Sequence, residues 1–172
     1  MPQDSIDAIL SVLARQIKGI EKSIKELDKV IEQLVVVLPE YQCLTSIPGI
    51  GKVYAAGIIA EIGQIERFDN QTKLAKYAGL SWKIKQSGNY QTENTPLPKQ
   101  GNRYFRYYLV EATNSLRRYL PDYAEFYKKK YQETHKHQHK RATILTARKF
   151  VSLADTLLRN HPTLHAPKER DR

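Results

Sequence analysis

Ten aliphatic residues set the strongest constraint on how this chain can fold. Ile6, Leu10, Leu13, Ile17, Ile20, Ile24, Leu27, Ile31, Leu34 and Leu38 recur at alternating spacings of four and three without a miss. The mean repeat is 3.5 residues, shorter than that of a straight α-helix, so two such stripes stay in register by winding into a left-handed supercoil. Arg15, Lys18, Glu21, Lys22, Lys25 and Glu26 are among the charges that fill the flanks. The pairs Ile24/Leu27 and Ile31/Leu34 put Ile at one core position and Leu at the next, a preference of parallel two-stranded coils. The expectation is a coiled-coil dimerisation helix over residues 1–39, ended by Pro39, that makes a homodimer or higher oligomer through residues 4–38. An antiparallel pairing, a missing upstream helix as the partner, or a helix laid along its own domain is compatible with the same pattern.

Beyond Pro39 the pattern becomes that of a compact helical domain, residues 40–161, followed by a charged tail, 162–172. An apolar helical pattern runs through Ile62, and Asp69 and Asn70 can cap a short helix over Lys73–Ala78 that Gly79 stops. Residues 81–100 break the periodicity: Trp82, Ile84 and Gln86 alternate with Lys83 and Lys85, Ser87-Gly88 reads as a turn, and Pro96 and Pro98 forbid helix. A short β-hairpin or ordered loop is expected there. Helical periodicity resumes from Asn102 to Leu120, restarts near Asp122 and returns over Arg141–Arg159. The fold class is mainly α.

Charge separates the parts. Residues 1–40 hold five Lys/Arg against seven Asp/Glu, residues 41–98 six against four, and residues 99–172 seventeen against seven. A positive charge concentrated in this way points to a polyanionic partner, of which nucleic acid is the commonest. No run of about eighteen apolar residues exists to span a bilayer, and the acidic start of the chain lacks the character of a secretory leader. Cys43 is the only cysteine, which excludes an internal disulfide and cysteine-rich zinc modules and fits a cytoplasmic setting.

The block Ile47-Pro48-Gly49-Ile50-Gly51-Lys52, with Val53, Ala55 and Ala56 after it, reads as a helix-hairpin-helix motif. Glycines allow a tight connection and let a phosphate approach the backbone. The amides of Gly49, Gly51 and Lys52 would stand at a helix start, where free N–H groups and the helix dipole favour an anion. A site of this kind grips DNA backbone without reading sequence. A plain structural turn between packed helices has the same composition.

After this block come Leu74-Ala75-Lys76-Tyr77-Ala78-Gly79-Leu80, Gln86-Ser87-Gly88 and Lys99-Gln100-Gly101-Asn102-Arg103-Tyr104-Phe105-Arg106. In this order, over roughly residues 44–120, the series resembles the C-terminal transposase domain of the IS-one-ten insertion-sequence family and its pilin-gene invertase relatives. The resemblance implies DNA cleavage and strand transfer by a composite site: a magnesium-binding, RNase-H-like acidic domain preceding the coiled coil, and a serine in the C-terminal domain. It also implies, for many members, a structured guide RNA as partner. The family's serine falls on Ser87. Residues 88–98 depart from the family pattern, being Asn/Thr-rich with Pro96 and Pro98 in place of glycine and arginine.

The chemistry of the residues is compatible with that role. Lys83 and Lys85 could stabilise charge on a phosphorane, Gly88 leaves open backbone for a bulky group, and Lys99, Arg103 and Arg106 could clamp phosphates. Ser-Gly is equally an ordinary turn dipeptide, and no local residue is an obvious base. Tyr104, Phe105 and Tyr108 are expected in the core, and Lys128–Lys130 on a solvated face. His135, His137 and His139 lack a completing carboxylate or thiolate and read as a basic turn, so no metal or cofactor is assigned to this chain and magnesium belongs to the missing acidic domain. Two other function classes fit less of the sequence: a non-catalytic nucleic-acid-binding module, and a coiled-coil interaction protein whose charge only aids solubility.

Overall fold

The computed structural model describes residues 3–81, 86–87, 90–91 and 100–160, with side chains described for 5–81 and 100–160. Lys83, Lys85, Gly88, Lys99 and the tail 162–172 lie outside the described residues, and Ser87 is described as backbone only. The chain divides into two compact units, residues 1–37 and 38–172.

The first unit is one helix, α1 (Gln3–Val35), about 50 Å long at 1.5 Å per residue. Its seam residues from Ile6 to Leu34 stand 39–68% exposed on the single chain. Ile9, Val12 and Val30 are exposed as well, so the apolar stripe is wider than the seam alone. The helix ends at Val35, before Pro39, and Leu38 leaves the seam for an extended conformation (φ −82°, ψ 127°). Pro39 opens the next helix instead of closing this one. At the first helical position its missing N–H is no loss and its fixed φ suits the helix, while its ring pushes the preceding residue into extended backbone.

The second unit holds α2 (Pro39–Thr45), α3 (Lys52–Ile62), a 3₁₀ turn (Ile65–Arg67), α4 (Gln71–Tyr77), β1 (Gln86–Ser87), β2 (Tyr90–Gln91), α5 (Arg103–Tyr119), α6 (Pro121–Gln132) and α7 (Gln138–Asn160). The mainly α class expected from the periodicity is what the chain adopts. The strands form a two-residue antiparallel ladder, Gln86 opposite Gln91 and Ser87 opposite Tyr90. Pro121, like Pro39, starts its helix.

Helices α5 and α7 form the centre. Helix α7 packs against α2, α4, α5, α6 and the 3₁₀ turn, and α5 against α3 and α6. The reason is written in their spacing. Phe105, Leu109, Ala112 and Leu116 fall on one face of α5, and Thr143, Ala147, Phe150, Ala154 and Leu158 on one face of α7, all buried. The α3–α5 contact is close because Gly57 presents no side chain: a Cβ there would lie 2.4 Å from the Tyr108 ring. Phe105 is buried and Tyr108 half-buried, as expected, but Tyr104 is 54% exposed. It sits one position off the α5 core face, where its ring supports Arg103 instead. Cys43 is buried, and burial, then the Glu40 carboxylate, pushes its thiol pKa up, which makes it a packing residue and a poor nucleophile. Tyr123 is buried beside Asp122 and is pushed up to about 12, first by burial, so it stays neutral.

Candidate nucleic-acid interface

Helices α2 and α3 are joined by the turn Ser46–Gly51. Ile47 and Ile50 are buried, anchoring the turn from within, and Ile50 N–H donates to the Ile47 carbonyl at 3.0 Å. Gly49 has φ +93° and lies against α5, where a Cβ would meet the Tyr119 ring at 2.7 Å and Ser115 Oγ at 3.1 Å. Gly51 caps α3 in an extended conformation (φ −80°, ψ 167°) and faces open space. The two glycines therefore differ: Gly49 is required by packing, and Gly51 has open space where a side chain would go. Lys52 and Val53 follow there, both exposed.

The segment from 82 to 99, which carries Ser87, leaves the chain after α4 and returns at α5. The described residues that flank it, Tyr77–Gly79 and Gly101–Arg106, meet in a tight neck. Asn102 N–H donates to the Tyr77 carbonyl at 2.7 Å, and Arg106 Nη1 donates to the Ala78 carbonyl at 3.2 Å. Asn102 works in three directions. Its Oδ1 accepts from the N–H groups of Tyr104 and Phe105 and so caps α5, while its Nδ2 donates to Glu61 Oε2 at 2.6 Å and to the Tyr77 hydroxyl at 3.0 Å. Gly79 (φ +71°) and Gly101 (φ +109°) lie back to back: a Cβ on Gly101 would come within 2.6 Å of Gly79 N and 2.7 Å of Tyr77 O. No other residue type fits this left-handed backbone at such an approach. The neck hydrogen bonds, each contributing about 1 kcal/mol, and the buried side chains of Leu80 and Phe105 hold the two flanks together.

An aromatic ladder supports the neck from below. Phe68 packs on Tyr77 (centroids 5.2 Å apart) and Tyr77 on Phe105 (6.0 Å). Arg67 lays its guanidinium over both Phe68 and Tyr77, 4.8 and 4.9 Å from the centroids. Beside it Arg159 ties the 3₁₀ turn to α7, donating to the Phe68 carbonyl and to Asp155, whose hydrogen bonds hold the guanidinium pKa above its usual value. Beside the neck opens a cleft of about 440 Å³ whose lining includes Arg67, Lys73, Lys76, Ser81 and Gln100.

Of the residues singled out in the sequence, the structure brings Arg106 to the neck, with one nitrogen committed to backbone. Arg103, one turn earlier, is exposed, with Nη2 on the Tyr104 hydroxyl at 2.6 Å and its guanidinium 4.6 Å over the Tyr104 ring. Gly49, Gly51 and Lys52 stand at the α2–α3 turn. The cleft and the Glu61–Asn102–Tyr77 knot are what sequence reasoning missed. Lys73 and Lys76, three apart on α4, were the available signal; the contribution of Arg67 depends on a 3₁₀ turn no pattern announced. Among the described residues no group of three or more His, Cys, Asp or Glu could hold a metal ion, and no helix is long and apolar enough to cross a membrane. His139 lies in α7, with Nδ1 2.7 Å from the Tyr127 hydroxyl.

What this architecture defines is a class: a basic, mainly helical domain with a neck closed by two glycines. Comparison with known proteins narrows it. Residues 41–128, more than half of the chain, match the model of the Transposase IS116/IS110/IS902 family. The chain belongs to that family. It is 28% identical over 149 residues to the 44.8 kDa protein of insertion element IS116 from Streptomyces clavuligerus, covering 86% of this chain and 36% of that protein. It is 26% identical over 156 residues to the 43.6 kDa protein of insertion element IS110 from Streptomyces coelicolor, covering 91% and 38%. It is also 24% identical over 112 residues to the transposase for insertion sequence element IS1111A from Coxiella burnetii, covering 65% and 30%. The chain thus spans 36% and 38% of the length of the first two relatives.

Proposed function

We propose that this chain is the DNA-gripping, serine-bearing half of a transposase that cleaves and joins DNA strands. The observation that carries the reading is the neck: within the family match, Gly79, Gly101 and Asn102 close the base of the segment that bears Ser87. A nucleophile must be held close against its target, and a pinned base restricts where the segment that bears it can go.

In this reading Ser87 Oγ attacks a phosphodiester phosphorus. A serine–phosphate ester forms, the phosphorus–oxygen bond to the leaving strand breaks, the serine proton passes to a base, and the leaving oxygen takes one up. Lys83 and Lys85 steady the charge that develops on the phosphoryl oxygens, and Gly88 leaves room for it. Gly51, Lys52 and the first amides of α3 hold backbone phosphate, as do Lys99 and Arg103. Magnesium belongs to an acidic, RNase-H-like domain outside this chain, where it supplies Lewis-acid assistance. A structured guide RNA is a second partner, a cytoplasmic, nucleoid-associated protein is the setting, and α1 joins two copies.

The experiment restores the acidic domain and replaces Ser87. Ser87→Ala should abolish cleavage and strand transfer while DNA binding persists; full activity in that variant removes serine chemistry and leaves a non-catalytic binding module. The chain alone, supplied with magnesium, should bind duplex DNA with a steep salt dependence and leave it uncut. At the α2–α3 turn, Gly51→Leu faces open space and should fold. It should weaken DNA binding about tenfold, the loss of one good phosphate contact; an unchanged affinity removes the turn from the interface.

A further inference from the structure

The cleft beside the neck joins three cations of different origin. Arg67 comes from the 3₁₀ turn, and Lys73 and Lys76 from one face of α4. All three are exposed, and none takes part in an ion pair among those described. Arg67 is the organised member, because Phe68 and Tyr77 fix the plane of its guanidinium and leave the fork to a ligand. A planar, pre-oriented fork suits the paired oxygens of a phosphate, and lysines beside it add point charge. The single acid of the lining, Asp69, also lies in the field of Arg159, which offsets part of its charge. Ser81, Gln100 and the Tyr77 ring give the remainder a polar and aromatic lining.

We propose that this cleft is a phosphodiester subsite that seats one nucleotide of an unpaired DNA strand, its phosphate against Arg67, Lys73 and Lys76, where the strand passes the neck. The volume, about 440 Å³, lies in the range of sites for small molecules and suits one nucleotide whose base enters the cleft, which a paired base does not do. The proposal rests on the reading of the domain as a DNA-gripping one and adds to it a particular place and strandedness.

The test measures binding of a short single-stranded DNA oligonucleotide to the full chain by fluorescence anisotropy across a salt series. The cleft variant is Lys73→Gln/Lys76→Gln. A charge-matched control, Lys128→Gln/Lys129→Gln, removes the same charge from the exposed face of α6. The cleft variant should bind at least tenfold more weakly and lower the salt slope by about 1.4, the release of two counterions from a single strand. The control should change affinity less than threefold. Arg67→Lys keeps the charge and the stem but loses the fork, and should also weaken binding several-fold. Equal losses in the cleft variant and the control overturn the subsite while leaving general DNA binding intact. A wild-type chain that binds no DNA removes the parent reading and the subsite together. Tighter binding of the same sequence as RNA, lost in the cleft variant, assigns the cleft to RNA and overturns the DNA proposal.

Discussion

Two glycines separate what packing demands from what the backbone merely tolerates. Gly101 sits at φ +109° with Tyr77 and Gly79 backbone where a side chain would go; Gly51 sits at an ordinary extended φ facing open space. Gly101→Ala should therefore destabilise the domain by at least about 2 kcal/mol, from the left-handed backbone and the contact together. In a thermal melt that is a fall of roughly 6 °C. Gly51→Ala should cost no more than about 1 kcal/mol, the difference between a fair and a poor N-cap. Equal melting temperatures for the two variants would show that the neck is not under the constraint drawn here. At this scale the sequence revealed the glycines and the capping Asn70, because caps and turns are local chemistry; that Asn102 caps α5 came from the structure. The sequence could not reveal that Asn102 also reaches Glu61, forty-one residues earlier, since such a bond exists only after α3 and α5 pack.

Element boundaries follow the same division between local and tertiary causes. Proline announced a break at residues 39 and 121, but whether it closes one helix or opens the next depends on where the preceding chain turns. In both cases it opens the next. The connection between α6 and α7 is held by a carboxylate. Glu133 Oε1 accepts from Lys130 Nζ at 2.6 Å and its Oε2 from Arg141 Nη1 at 3.2 Å, across a turn that includes His137 at φ +52°. The hydrogen bond from Lys130, foremost, and then that from Arg141 hold the Glu133 carboxyl below the usual glutamate range. A carboxyl lowered on folding contributes stability above its unfolded pKa and loses that contribution as pH falls through the folded value. A carboxyl-carbon NMR titration should accordingly find Glu133 protonating below the other exposed glutamates. Lys130→Gln should move its midpoint up by more than Arg141→Gln does. The reverse order would put the staple on the inter-helix pair. In the sequence, the i,i+3 pair Lys130/Glu133 was visible and the Arg141 partner was not, because the turn between them brings it round.

At the scale of the whole molecule the salient feature is α1, whose nine seam residues from Ile6 to Leu34 are all exposed on the single chain. Burying a large aliphatic side chain completely is worth about 2 kcal/mol. Half that for each seam residue gives on the order of 9 kcal/mol per chain and twice as much for a pair. Bringing two chains together costs roughly 4–15 kcal/mol, so seam burial of this size would support the proposed association. Surface ion pairs such as Lys22–Glu26 add little to that balance. The helix itself was legible from the strict repeat, whereas its end was not: Leu38 fits the repeat yet belongs to the α2 cap. Residues Ile24 and Ile31 lie within the seam and Leu38 outside the helix, which makes a controlled comparison. Ile24→Lys/Ile31→Lys should convert the chain from dimer to monomer in sedimentation velocity and remove the concentration dependence of its melting temperature. Leu38→Lys should leave the oligomer in place, since it acts only on the start of α2. If the wild-type chain already sediments as a monomer at micromolar concentration, the exposed stripe answers to a different partner helix. The wider stripe that includes Ile9, Val12 and Val30 is then the surface on which to look for it.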